Sequence, residues 1–283
     1  MNQLIAPLII GLIAAPLAGG LINGLDRIIT ARMQGRIGPP VWQPFFDVIK
    51  LFGKESLVVN VWQAFCAYGY LAASAIAVVL FFLQSDMLLI VFIQAVGAVF
   101  VVMGALSSTS PYSQVGAHRE LLQILSYEPL LILVIAGIFV ETGSFKINAI
   151  YLLDQPLIVR LPFLFVVLCY ALTIKLRKSP FDLSTSHHGH QEIVKGVMTD
   201  YSGPFLALIE IGHWFDVILI LGFCSLFWST SWIGIIGLVG VVYFLEILVD
   251  NTTARMNWRW MLSYVWALGL ALSFVNIMWL TLG

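Results

Sequence analysis

Residues 177–203 read RKSPFDLSTSHHGHQEIVKGVMTDYSG and separate two apolar runs, 157–176 and 204–227. A polar stretch between two runs of ~20 apolar residues reads as the connection between two membrane-spanning helices. The pattern repeats outward in both directions. Apolar windows at 4–24, 61–83, 87–106, 121–140, 157–176, 204–227, 233–249 and 260–282 predict eight spans. The whole chain, 1–283, reads as a single integral membrane domain, an all-α polytopic protein. Its composition agrees: 60% of residues are hydrophobic and 10% charged, with a mean hydropathy of +0.96, whereas soluble domains carry about 25% charge. The net charge of −1 offers no bulk field for nucleic acid.

The N-terminal MNQLIAPLIIGLIAAPLAGGLING has no basic leader and is too long for a signal sequence, so it is expected as a retained first span. Cys66, Cys169 and Cys224 lie singly in apolar runs without ligand spacing. They read as buried small hydrophobes, and no metal or cofactor is expected in this chain.

The connections fall into two sets. The segments 25–60, 107–120, 177–203 and 250–259, with the flanking Lys175, hold every Lys and Arg of the 14 except Lys146 and Arg160. Positive loops stay in the cytoplasm. The large loops are therefore expected on the cytoplasmic side of the cell membrane, with both termini outside.

In the first loop three prolines, Pro39, Pro40 and Pro44, break any continuous helix. Phe45, Phe46, Ile49 and Phe52 then share one helical face, and Asp47, Lys50 and Lys54 the other. This predicts a short amphipathic helix on the membrane surface; periodicity alone favours a simple interfacial anchor. In the fourth run Glu128 stands in apolar surroundings before Pro129. Glu210, His213 and Asp216 cover about a third of a helix circumference. Tyr243, Glu246 and Asp250 share one face of the seventh span. Ionisable groups at such depth avoid lipid, so Glu128, Glu210, His213, Asp216 and Glu246 are candidates for an ion path, the alternative being polar contacts between helices. His187, His188 and His190 suggest metal at first sight, but the chain has no second ligand cluster. They read as titratable groups at a protein contact.

Four cytoplasmic stretches carry a family likeness: RMQGRIGP with QPFFDVIKLFGKE, then GAHRELLQILSYE, then SPFDL with TDYSG, and DNTTARMNWRWML. In that order they resemble the complex I membrane subunit that adjoins the quinone site, and its relatives in membrane-bound nickel–iron hydrogenases. The compact GPPVWQP and the His-rich stretch after PFDL resemble the energy-converting, Ech-like hydrogenases, which have no quinone substrate. The complex I relative carries an acidic run where this chain has STSHHGHQEIVKG.

The resemblance implies a membrane anchor beneath a larger redox complex. The nickel–iron centre and iron–sulfur clusters would lie in partners: hydrogenase large and small subunits and a ferredoxin-like iron–sulfur subunit. Antiporter-like membrane subunits would stand beside it in the lipid bilayer, and soluble ferredoxin would donate electrons. Arg32, Arg36, Asp47, Lys50, Lys54, Glu55, Arg119 and Arg177 are candidates for docking these partners. Asp182, His187, His188, His190, Glu192 and Asp200 are candidates for coupling at the junction. A quinone-site subunit, a sulfur-reducing or formate-linked relative, a stand-alone transporter and a passive anchor remain alternatives. A transporter would pump alone in liposomes, and a passive anchor would tolerate loss of its buried acids.

Overall fold

The computed structural model describes residues 2–57, 60–185 and 195–282. Helices account for the described structure, with one isolated bridge between Asp86 and Lys146. The first crossing consists of α1 (Asn2–Ile9), a π-helical turn at Ile10–Ala14 and α2 (Ala15–Met33). Then come α3 (Gln43–Phe52), α4 (Val61–Phe82), α5 (Met87–Leu106) and α6 (Pro111–Thr142). After the short α7 (Leu157–Arg160) follow α8 (Pro162–Lys175), α9 (Gly203–Leu226), α10 (Trp232–Thr252) and α11 (Trp258–Leu282).

Among the described residues, seven helices are long and apolar enough to cross a membrane, and α8 is a shorter apolar helix. The expected span at 157–176 is formed by α7 and α8, with a break between them. Leu161 precedes Pro162 and leaves the helical region, at φ −122° and ψ 48°, as the proline ring dictates. Asn276 of α11 repairs the break. Its Oδ1 accepts from the Phe163 and Leu164 amides, and its Nδ2 donates to the Arg160 carbonyl.

Two boundaries also differ from expectation. Residues 25–33 of the expected first loop are helical, so Arg27 and Arg32 stand on α2. Most of 107–120 is the start of α6, which at 32 residues spans about 48 Å, against a hydrocarbon core of about 30 Å. A hydropathy window sees only the part of a helix inside lipid, so polar extensions read as loops.

Hydrogen bonds sort the connections into two ends. At one end Gln34 reaches Asn251, Asn60 reaches the Ser107 carbonyl, Ser202 reaches the Leu57 carbonyl, and Ser179 reaches Asp250 and Thr253. At the other, Met87 N–H donates to Phe145, Ile147 N–H to Ser85, and Ile158 N–H to Phe227. The alternation of the two sets is thus a property of the fold.

Helix α3 lies at the first end. Val48 is buried with Trp214 and Ala207 of α9, and Phe45 meets Trp214 edge-on at 5.1 Å. Phe46, Ile49 and Phe52 point outward. Its expected single apolar face is therefore divided between α9 and the surroundings. Gly19 allows α2 to approach α9, since a Cβ there would stand 2.5 Å from the Trp214 carbonyl oxygen.

Candidate charge-transfer site

Three cations follow one another at the end of α8 and turn to three different helices. The Lys175 ammonium lies 3.9 Å from Asp216 of α9. Arg177 pairs with Glu120 of α6 at 2.8 Å, and Lys178 with Asp26 of α2 at 2.9 Å. Arg177 has φ +53°, a left-handed conformation that costs a non-glycine residue about 1 kcal/mol or more. This kink ends the helical progression and lets neighbouring side chains diverge. Burial opposes the charge on Arg177, yet the adjoining Glu120 carboxylate overrides it and holds the guanidinium more firmly protonated than usual.

Around these pairs stands a polar shell. Asp216 accepts from Tyr70 Oη at 2.8 Å and Gln94 Nε2 at 3.3 Å. Lys175 lies over the Tyr127 ring, 5.1 Å from its centroid. Thr173 donates to Glu246 at 2.9 Å, Tyr243 to Asp26 at 3.3 Å, and the Ser179 amide to Asp250 at 2.8 Å. Buried charges survive only when paired and hydrogen-bonded in this way.

Two voids connect the groups. A cavity of about 430 Å³ is lined by Asp26, Lys178, Glu210, His213, Tyr243 and Asp250 among others. A void of about 10 Å³ touches His213, Asp216, Lys175, Arg177 and Glu120, near the minimum for one water molecule. His213 lines both. Glu128 is half-buried on α6 and lines a separate, largely apolar groove of about 580 Å³ with Leu121, Leu125 and Ile132. The expected path residues Glu210, His213 and Asp216 thus share adjoining cavities. Glu246 lines neither cavity and is held by Thr173 of α8, and Glu128 opens sideways.

A family model described as NADH dehydrogenase matches residues 5–281. The chain belongs to the NADH dehydrogenase family. It is 25% identical over 324 aligned residues to an NADH-quinone oxidoreductase subunit of Syntrophotalea carbinolica, covering 98% of this chain and 97% of that one. It is 28% identical over 293 residues to Hydrogenase-4 component C of Escherichia coli, covering 92% and 91%. A solved structure of the membrane-bound sulfane sulfur reductase, an archaeal respiratory membrane complex, has the same fold. Its TM-score is 0.88 at 22% identity, over 98% of this chain and 99% of that one. This member of the NADH dehydrogenase family is thus a membrane subunit of the complex I-like kind.

The other expected residues of this family member divide by exposure. Arg32, Arg36, Lys50, Lys54 and Glu55 are on the surface. Arg119 donates to the Leu183 carbonyl at 3.4 Å. Asp47 is held by Arg27 at 2.6 Å and Gln43 at 2.9 Å; against its partial burial, these contacts keep its carboxyl below the usual range. Arg177, expected to face a partner, is instead turned inward onto Glu120. Asp200 accepts from Ser108 and Ser113 and ties its loop to the α5–α6 corner, and Asp182 is buried beside α6. His187, His188, His190 and Glu192 lie outside the described residues. Among the described residues no group of three or more His, Cys, Asp or Glu is placed to hold a metal ion.

Sequence reasoning overlooked Asp26, Tyr70, Gln94, Glu120, Lys175 and Lys178. One signal was present. Gly116, Glu120, Gln123 and Tyr127 recur at i, i+4, i+7 and i+11, a polar face continuous with α6. The partners of Asp26 and Lys178 are distant in sequence and left no comparable mark.

Proposed function

We propose that this chain is the membrane-anchoring and ion-coupling subunit of an energy-converting nickel–iron hydrogenase. Partner subunits hold the nickel–iron centre and iron–sulfur clusters, electrons from reduced ferredoxin convert protons to H2, and the reaction drives H⁺ or Na⁺ across the membrane. The observation that carries the coupling role is the divergence of Lys175, Arg177 and Lys178 onto Asp216, Glu120 and Asp26. It joins the loop-bearing end to acids deep in the bundle, so that a charge change at the loops is felt at Asp216 and, beyond it, at Glu128.

The hydrogenase reading rests on likeness to Hydrogenase-4 component C over nearly the whole of both chains. The likeness to the NADH-quinone oxidoreductase relative keeps a quinone-site subunit as the second reading.

The test is the nickel content of the intact complex, purified in mild detergent through a tag on this chain with its partners visible on the same gel. About one nickel per copy is expected; an intact iron–sulfur assembly without nickel would transfer the assignment to a quinone or sulfur reductase. Normal ion pumping in both Glu128→Gln and Glu210→Gln would remove the path.

A further inference from the structure

Lys175 is the last residue of α8, and its side chain is only 5% exposed. At 3.9 Å from Asp216 Oδ2 it is too far for a tight charge-assisted hydrogen bond, which spans about 2.7–2.9 Å. Asp216 does not depend on it, because Tyr70 and Gln94 already donate to both carboxylate oxygens. A second acid competes for the same ammonium. Glu128 follows Tyr127, whose ring lies under the Lys175 nitrogen, and the Glu128 carboxyl is an electrostatic neighbour of Lys175. Glu128 Oε1 is buried and has no hydrogen-bond partner.

The local charge balance is uneven. Arg177 is engaged by Glu120 at 2.8 Å, which leaves one ammonium to serve Asp216 and Glu128. Two carboxylates served by one ammonium in a low-dielectric seam are costly to hold ionised together.

We propose that Lys175 is the mobile counter-ion that links Asp216 to Glu128 and so makes protonation of one depend on the other. With the ammonium at Asp216, Glu128 is protonated. A proton arriving at Asp216 from the His213 side neutralises it and frees the ammonium to move to Glu128. Glu128 then releases its proton towards His118, the other titratable side chain lining the α6 groove. The Asp216 proton passes to Glu128, and the ammonium returns. One proton enters and one leaves per cycle, and the ammonium keeps its own throughout. Lysine suits this role, being a compact charge on a flexible stem.

The inference rests on the ion-coupling part of the proposed function and is independent of nickel. The test uses the intact complex in proteoliposomes, with reduced methyl viologen as electron donor. Bleaching of the viologen counts electrons, and a voltage-sensitive dye reports charge moved. In Lys175→Gln the charge moved per electron by this route is expected to be lost, while bleaching continues. A purely structural role would lower both signals with the amount of assembled complex and leave their ratio unchanged. Lys175→Arg, which keeps the charge, is expected to recover part of the ratio. A wild-type ratio in Lys175→Gln would overturn the proposal. The Lys175→Gln/Asp216→Asn double variant, which leaves no new unpaired charge, guards against failed assembly, and a wild-type ratio there overturns it equally. An absence of nickel, by contrast, would sink the hydrogenase reading and leave this ratio test standing.

Discussion

The two ends of the molecule are built on different principles. At the loop-bearing end, ion pairs link α2, α6, α8 and α9, and cavities separate them. The opposite end packs an apolar core, with the Arg160–Glu141 pair at its edge. Ile147, Ile150, Leu157, Leu161 and Leu164 are all essentially buried, and backbone hydrogen bonds stitch the connecting segments together. On the proposed reading, charge enters from the loop-bearing face and meets an apolar core before the other. Within this chain, the acid that opens sideways is Glu128, in the α6 groove. The asymmetry fits a part that passes charge to a neighbour better than one that carries it straight across.

Breaking the ionic end should cost most. Arg177→Leu leaves Glu120 buried without its cation, and removing one member of a buried pair costs about 3–5 kcal/mol. The expected outcome is a large drop in thermal stability of the detergent-solubilised complex and loss of coupling together. A Glu120→Gln/Arg177→Leu variant should recover much of the stability, because no lone charge remains. Recovery of no stability in the double variant would show that the pair does not stand alone as described.

Breaking the apolar end should separate stability from coupling. Leu164 is fully buried and its Cδ1 fills the space beside Gly137. Leu164→Ala is expected to destabilise by about 2–5 kcal/mol through lost burial and the cavity left behind. The charge-to-electron ratio of the surviving complex should stay unchanged. A fallen ratio would mean that the apolar core takes part in coupling and that the two ends are not independent.

The smallest effect is expected at the edge of the ionic end. The Arg27–Asp47 pair is 41% exposed on each side, so Asp47→Asn should cost no more than about 1 kcal/mol and depend on salt. The carboxyl of Asp47 is held below its usual range. Its contribution is therefore present at neutral pH and is lost as pH falls below the ordinary carboxylate range through the folded-state value. An acid titration of melting temperature, wild type against Asp47→Asn, should show the two curves converging at low pH. An unchanged gap would assign the difference to something other than this charge.

Much of this was legible from the order of the residues alone. Apolar runs of membrane length, the loop asymmetry of Lys and Arg and the repeated cytoplasmic motifs determined an all-α membrane subunit and its family. Lipid imposes those signals locally, because each span must be apolar along its own length. The placement of Glu210, His213 and Asp216 along one side of α9 was equally a matter of helical period. Tertiary structure decided the partners. Lys175 and Arg177 are two residues apart yet serve acids 41 and 57 positions distant, and the left-handed turn at Arg177 that separates them has no glycine to announce it. It also decided that the fifth crossing is broken at Pro162 and completed by Asn276, 113 residues from Phe163. Buried charges and broken helices are satisfied by whatever the fold brings near, and a one-dimensional pattern carries no record of that proximity.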